Sequence, residues 1–277
     1  MARHGLSPRK SLGQHFLLDP DLLARIVRAA GPLAGVRVIE VGPGPGGLTR
    51  ALLASEAQSV VAVEIDPRAV AAIEALRGDH PERLRIIEAD AMSLDLAGLV
   101  AAPRAIIANL PYNVGTGLLV DWLTQADSFQ VMVLMFQAEV AQRIVAKAGD
   151  AAYGRLAVLA GLTMQADLVM HVPASAFVPP PKVESAVVRL LPRAEVPERA
   201  VLEVVARITA CAFGQRRKML RASLRAIDAV PLLEVAGIDP QRRAETVPPE
   251  AYLAMARHAM AVGHAIAKPG AGRQAPA

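Results

Sequence analysis

The stretch from Val36 to Ala54 constrains the fold of this chain more than any other. A β-rich run, Val36 to Val41, ends in Gly42-Pro43-Gly44-Pro45-Gly46-Gly47, and Leu48 to Ala54 then has helical character. Alternating glycine and proline cannot continue a strand or a helix, so the chain turns sharply between the two. A strand, a glycine-rich turn and a helix N-terminus open an α/β fold with a parallel sheet, and together they form a cradle for an adenosine-containing ligand. The pattern continues. Val60 to Ile65 reads as a second strand, Asp66-Pro67 caps a helix continuing from Ala69 to Leu76, Leu84 to Ile87 is a third strand and Ala105 to Ala108 a fourth.

Polar residues collect where these strands end. Glu64 stands near the C-terminal end of the second strand, where a carboxylate can accept from both ribose hydroxyls, and Asp90 follows the third, placed to accept from an adenine amino group. Asn109-Leu110-Pro111-Tyr112 follows the fourth. The Asn amide offers a carbonyl acceptor, Pro111 fixes its own φ and removes one N–H, and Tyr112 supplies a flat aromatic face. Together they suit a planar base that carries an exocyclic amine. By itself the same tetrapeptide also reads as a strand exit with an Asx-type turn.

The glycine loop leaves two ligand classes open. Gly42, Gly44 and Gly47 satisfy G-x-G-x-x-G, and Glu64 lies 22 residues beyond Gly42, close to the spacing of a nicotinamide-dependent dehydrogenase. Glu40, two residues before Gly42, adds negative charge that suits an ammonium and a sulfonium better than a pyrophosphate. Glu64, Asp66, Glu88 and Asp90 continue the acidic run, and no Ser-Tyr-Lys or His-based hydride-transfer set follows the third strand.

Charge is unevenly placed. Residues 36–127 hold seven Lys and Arg against twelve Asp and Glu, whereas residues 191–277 hold thirteen against eight. An acidic middle suits a small cationic ligand, and basic flanks with a pI near 9.6 suit a polyanionic partner. The single cysteine, Cys211, excludes a disulfide framework and a cysteine-based zinc site; its apolar neighbours read as burying the thiol. No apolar run reaches the roughly 18–20 residues of a membrane helix, and a cytoplasmic protein is expected.

Farther along, Gly115 to Thr124 reads as a helix with Trp122 in the core, Gln130 to Phe136 as a fifth strand, and Ala138 to Lys147 and Gly154 to Met164 as helices. Val169 to Val172 reads as a strand with His171 in a structural role. Phe177 to Val183 contains three consecutive prolines, so it is a stiff loop that presents Phe177 ahead of an alternating strand, Ser185 to Leu190. Beyond Pro192 the strand pattern stops and Glu198 to Phe213, Arg216 to Ala226 and Pro249 to Val262 are helical by periodicity. Residues 1–192 are therefore expected to form one domain with an N-terminal lead-in, 193–262 a helical domain, and 263–277, rich in Gly, Ala and Pro, a disordered tail.

One family matches these features in order. Lys10 to Leu17, Glu40 to Gly46, Glu64, Asp90, Asn109 to Tyr112, Phe177 to Val183 and Phe213-Gly214-Gln215-Arg216-Arg217-Lys218 resemble the small-subunit ribosomal RNA adenine dimethyltransferases, from about residue 10 to about residue 260. The resemblance implies a Rossmann-like S-adenosylmethionine-dependent methyltransferase domain followed by a small all-helical RNA-binding domain. Its substrate would be two adjacent adenines in the 3′-terminal hairpin of 16S rRNA, in a pre-30S or 30S particle, with the chain acting as a monomer and without a metal. Carried over by position, His15, Leu17, Gly42, Gly44, Glu64, Asp90 and Asn109 would hold the donor; Asn109, Leu110, Tyr112 and Phe177 would hold the target base; and Arg216, Arg217, Lys218 and Arg221 would form a basic helix on the RNA. Two positions depart from the pattern, His15 and Ala222, where the family often has Asn. The large-subunit antibiotic-resistance methyltransferases share the Asn motif, although Phe213 to Lys218 is more like the small-subunit enzymes. A non-catalytic RNA-binding relative is opposed by the intact acidic residues and Asn109.

Overall fold

A computed structural model of the chain describes residues 15–215, 217–264 and 266. In chain order its elements are β1 (Phe16–Leu17), α1 (Pro20–Arg28), β2 (Arg37–Val41), α2 (Gly47–Leu53), β3 (Ser59–Glu64), α3 (Pro67–Arg77), β4 (Leu84–Glu88), α4 (Leu96–Leu99), β5 (Arg104–Asn109) and α5 (Gly115–Leu123). They continue as β6 (Val131–Gln137), α6 (Ala138–Val145), α7 (Arg155–Thr163), β7 (Met164–Val172), β8 (Phe177–Val178), β9 (Ser185–Pro192), α8 (Arg199–Gly214), α9 (Leu220–Ser223), α10 (Pro231–Val235) and α11 (Pro249–Ala261).

Local chemistry explains the early elements. Asp19 caps α1 by accepting the N–H groups of Asp21 and Leu22 at 2.9 and 3.2 Å, with Pro20 in the first turn, and the helix buries Leu22, Leu23, Ile26 and Val27. Asp66 does the same for α3 through Arg68 N–H, again followed by a proline. The short apolar runs of β2, β3, β5 and β6 are buried almost throughout, as strands covered on both faces must be.

Seven strands form one sheet in the order β4-β3-β2-β5-β6-β9-β7. β2, β3, β4, β5 and β6 run parallel, and β9 pairs antiparallel with β6. The chain leaves β2 toward β3 and β4 on one side and toward β5 and β6 on the other. That reversal opens a crevice at the carboxyl ends of β2 and β5, where such sheets bind ligands. Ile39 is in register with Ile106, so the glycine loop after β2 and Asn109 at the end of β5 emerge at the same edge.

Outside this sheet, β1 pairs antiparallel with β8, with Leu17 opposite Phe177 and Phe16 opposite Val178. The lead-in is thus tied to the proline loop more than 150 residues away; its earlier part, Lys10 to Gln14, lies outside the described residues. β9 is not half-exposed as its expected alternation implied: Ser185, Ala186, Val187 and Val188 are all buried, because the strand lies between β6 and β7.

Two compact units divide the chain: Met1–Gln142 with Gln165–Pro192, and Arg143–Met164 with Arg193–Ala277. Residues 143–164 thus group with the C-terminal unit, which the strand-based boundary at 192 did not anticipate. Within that unit Phe213 packs against Tyr153 and Tyr252, at centroid distances of 5.8 and 6.0 Å, and the two tyrosine hydroxyls donate to the carbonyls of Val247 and Ala244. An aromatic cluster spanning 153 to 252 requires α7, α8 and α11 to fold together. Of the expected C-terminal tail, Gly263, His264 and Ile266 are described and the rest lies outside the described residues.

Gly46 has φ +82, and a Cβ there would stand 2.8 Å from Leu76 Cδ1; Gly35 has a similar φ of +75 with nothing near. Gly35→Ala should therefore lower unfolding free energy by about 1–2 kcal/mol, the left-handed penalty alone. Gly46→Ala should lower it further, and urea unfolding of the two variants measures the difference.

Candidate active site

A cavity of about 230 Å³ opens at the crevice. The lead-in supplies His15, Phe16 and Leu17, the glycine loop supplies Gly42 to Pro45, β2 and β3 supply Glu40 and Glu64, and the ends of β4 and β5 supply Asp90 and Asn109 to Val114. Every residue expected to hold the donor meets there: His15, Leu17, Gly42, Gly44, Glu64, Asp90 and Asn109 all line the cavity, joined by Leu110 and Tyr112.

The hydrogen bonds of the loop decide what charge it can hold. Gly42 N–H donates to Val63 O at 2.9 Å, Gly44 N–H to Glu64 Oε2 at 3.1 Å and Gly46 N–H to Pro43 O at 3.0 Å, while Pro43 and Pro45 have no N–H. From 42 to 46 no amide is left for an anion. A dinucleotide loop works by offering such amides to a pyrophosphate. This one ties those amides up and presents carboxylates instead, which weighs against the dehydrogenase reading.

Glu64 is 5% exposed and accepts Ile65 N–H and Asp66 N–H on Oε1, both at 2.9 Å, besides Gly44 on Oε2. Three of roughly four lone-pair positions are occupied, leaving Oε2 able to accept one further donor rather than both ribose hydroxyls. Burial pushes its carboxyl up, opposed by those three N–H groups. Glu40 is 1% exposed; Thr49 is its polar neighbour, but neither the Thr49 hydroxyl nor Glu40 Oε2 reaches hydrogen-bond geometry with a partner among the described residues. Burial raises Glu40 to about 8, with Thr49 opposing and the neighbouring Glu64 adding to the rise. An unpartnered buried carboxylate oxygen lining a cavity is suited to a cation. Asp90 is exposed and accepts Met92 N–H at 2.9 Å on Oδ1, leaving Oδ2 without a hydrogen-bond partner among the described residues.

At the end of β5, neither the Asn109 carboxamide nor the Leu110 carbonyl has a hydrogen-bond partner among the described residues. Pro111 O accepts from Val114 and Gly115 N–H at 3.2 and 2.9 Å, closing a turn directly into α5. The Tyr112 hydroxyl lies 2.6 Å from Ser185 Oγ, and its ring stacks on His15 with centroids 5.7 Å apart and planes 26° from parallel. His15 Nδ1 is 2.8 Å from Pro179 O; a carbonyl only accepts, so the ring proton is on Nδ1. The departure at position 15 therefore has a consequence: a ring replaces an amide and bonds the proline loop.

A model of the ribosomal RNA adenine dimethylase family matches residues 5–260. The chain belongs to the ribosomal RNA adenine dimethylase family. It is 58% identical over 262 residues to the ribosomal RNA small subunit methyltransferase A of Rhodopseudomonas palustris strain TIE-1, covering 92% of this chain and 90% of that one. The protein of the same name from Gluconobacter oxydans strain 621H is 54% identical, with 88% and 80% covered. Among solved structures, a dimethyladenosine transferase from Plasmodium falciparum superposes with a TM-score of 0.77 at 25% identity, covering 90% of this chain and 98% of that one. The 23S rRNA methyltransferase ErmE gives 0.66 at 30% identity, covering 87% and 98%. The fold of a dimethylase-family enzyme dependent on S-adenosylmethionine, α/β with a helical C-terminal part, is thereby established.

Two expectations are corrected. Phe177 does not line the dimethylase cavity: it is 2% exposed and sits in the core with its backbone paired to Leu17. The apolar ring is worth more buried than held on a loop surface, and Tyr112 has His15 as its ring neighbour instead. The expected basic helix Arg216 to Ala226 is, among the described residues, helical only from Leu220. Arg216 lies outside the described residues, Arg217 and Lys218 are in a turn, and α9 begins at Leu220. Its first N–H groups are taken by another segment: Leu220 donates to Arg242 O at 2.8 Å, Arg221 to Pro240 O at 3.0 Å, and Met219 bridges Arg243. That pairing brings a second basic doublet beside Arg217, Lys218 and Arg221, all exposed. Arg242 is engaged with Thr246, whereas Arg243 adds a cation to the patch. Ser185 and Arg243 were the residues sequence reasoning missed; the Arg242-Arg243 doublet was the available signal for one, and nothing local marked the other. Of the remaining readings, Trp122 is in the core at 1% exposed, His171 is exposed on β7, and Cys211 is half-buried with burial pushing its thiol up. Among the described residues no helix is long and apolar enough to cross a membrane.

Because Glu40 holds its proton up to about pH 8 in the folded chain and loses it near 4.5 when unfolded, folding takes up a proton between those values. Its contribution thus declines as pH rises from about 4.5 to 8. Glu40→Gln should be more stable than the parent at pH 8 by on the order of a few kcal/mol and equal to it below pH 4.5, checked by urea unfolding of the ligand-free protein across pH.

Proposed function

We propose that this chain transfers methyl groups from S-adenosylmethionine to N6 of two adjacent adenines in the 3′-terminal hairpin of 16S rRNA, as a monomer acting in the cytoplasm on a 30S or pre-30S particle. The carrying observation is a pair of acceptors without a partner among the described residues, the Asn109 carboxamide oxygen and the Leu110 carbonyl, on residues that line a cavity shared with Glu40, Glu64 and Asp90. Identity of 58% to a small-subunit enzyme, against 30% to a 23S enzyme, favours the small subunit.

The residues present fit the donor. Glu40 Oε2, buried and unpartnered, suits its ammonium; Glu64 Oε2 can accept one ribose hydroxyl and Asp90 Oδ2 the adenine amine. When bound, the donor would supply a methyl on a sulfonium, whose C–S bond breaks as the N–C bond forms and leaves a neutral thioether. The N6 amine of the target is a poor nucleophile because its lone pair is delocalised into the ring. Asn109 and Leu110 accept its two hydrogens, which orients the nitrogen and favours the pyramidal form with a localised lone pair. Tyr112 stacks on the base, worth roughly 1–3 kcal/mol by analogy with single-strand binding. Alignment therefore carries much of the rate, and the amine proton leaves to water after the lone pair is used. The base has to be unstacked to reach Asn109, which selects a loop adenine.

Asn109→Ala should reduce transfer by at least about 100-fold while donor affinity by calorimetry stays within a few-fold. Transfer of labelled methyl to 30S particles, naked 16S rRNA and 50S particles tests the substrate, with 30S expected to dominate; transfer to 50S alone would reassign the enzyme to the large subunit. Neutralising Arg217, Lys218, Arg221 and Arg243 to Gln should weaken RNA binding and flatten its dependence on log salt by up to about 0.7–0.9 for each phosphate no longer neutralised. An unchanged slope would make this face a solvated one.

A further inference from the structure

We infer that Ser185 is a positioning residue for methyl transfer: its buried hydroxyl fixes the Tyr112 ring on which the target base stacks, while His15 covers the ring's other face. This rests on the reading that Tyr112 stacks the base. β9 runs antiparallel to β6, so its first residue, Ser185, lies opposite the last residue of β6, Gln137. β5 and β6 are parallel, with Asn109 opposite Met135. Ser185 therefore enters the sheet at the edge where Asn109 leaves it.

The side chain's chemistry is specific to that place. Ser185 is 0% exposed and is followed by Ala186, Val187 and Val188, all buried. A buried hydroxyl is unfavourable unless bonded, so an apolar residue would serve this strand better, were it not for the Tyr112 hydroxyl 2.6 Å away. Tyr112 is then held at three points. Its backbone is in the turn closed by Gly115 N–H on Pro111 O, its hydroxyl is on Ser185, and one ring face is against His15, whose Nδ1–H is tied to Pro179 O. A ring has two faces; the one left is the seat for the base beside Asn109.

The experiment is a double-mutant cycle of Ser185→Ala and Tyr112→Phe, with Tyr112→Ala alongside, measuring kcat and KM for 30S particles, donor affinity by calorimetry, and Tm. Each single variant should lower kcat/KM by about two- to tenfold, the worth of one hydrogen bond, with donor affinity unchanged. The double variant should be no worse than either single. Additive losses in the double variant, or a fall in donor affinity matching the fall in transfer for Ser185→Ala, would mean that Ser185 acts through general packing and would overturn the inference. Ser185→Ala as active as the parent, with Tyr112→Ala inactive, would sink the role of Ser185 and leave the stacking role of Tyr112 standing. Full activity in Tyr112→Ala would overturn both.

Discussion

The site depends on the Gly44 amide donating to the Glu64 carboxylate. In a loop of this glycine spacing the amides ordinarily face outward and hold an anion. Here the middle amide is turned onto a carboxylate that also gathers Ile65 and Asp66 N–H, and prolines replace the two amides on either side of it. The same backbone shape is therefore changed from a loop of outward amides to one backed by a buried carboxylate. Glu64 closes the loop geometry and still keeps one acceptor position, so the residue that shapes the cavity also has capacity to touch the ligand.

That conversion has an energetic consequence. Two carboxylates, Glu40 and Glu64, are buried near each other, and both are pushed up by burial. The empty cavity is relieved by protonation, chiefly at Glu40. A cation placed against Glu40 Oε2 favours the ionised form, so binding and proton release are linked: each promotes the other by the same free energy. Below about pH 8 such a cation has to displace the Glu40 proton, so its affinity should rise with pH.

Legibility in the sequence followed range. The strands and helices built around the glycine loop, the Asp19-Pro20 and Asp66-Pro67 caps, and the meeting of Glu64, Asp90 and Asn109 could be read because each depends on neighbours along the chain and on the rule that parallel strands end at one edge. The failures depend on distant partners. Phe177 looked presented because three prolines follow it, yet its backbone pairs with Leu17, and its ring goes to the core. Arg216 to Ala226 has helical periodicity, yet residues 240–243 supply the acceptors that delay the helix to Leu220. In both cases a pairing between segments distant in the chain outweighed a local preference that amounts to a few tenths of a kcal/mol per residue.

The antiparallel direction of β9 illustrates why such partners matter to chemistry as well as to folding. A sheet of parallel strands offers one reactive edge, at their carboxyl ends, and every crossover returns the chain to the opposite edge. The residue that begins a parallel strand lies at the edge away from the site. β9 has eight residues, so a parallel β9 would carry Ser185 roughly 25 Å from its present place, far outside the reach of Tyr112. Running antiparallel, the strand delivers its starting residue and the proline loop before it to the edge where β5 ends, and Pro179 can then bind His15 while Ser185 binds Tyr112. One reversed strand thus joins the lead-in, the proline loop and the Asn109 turn around a single aromatic ring.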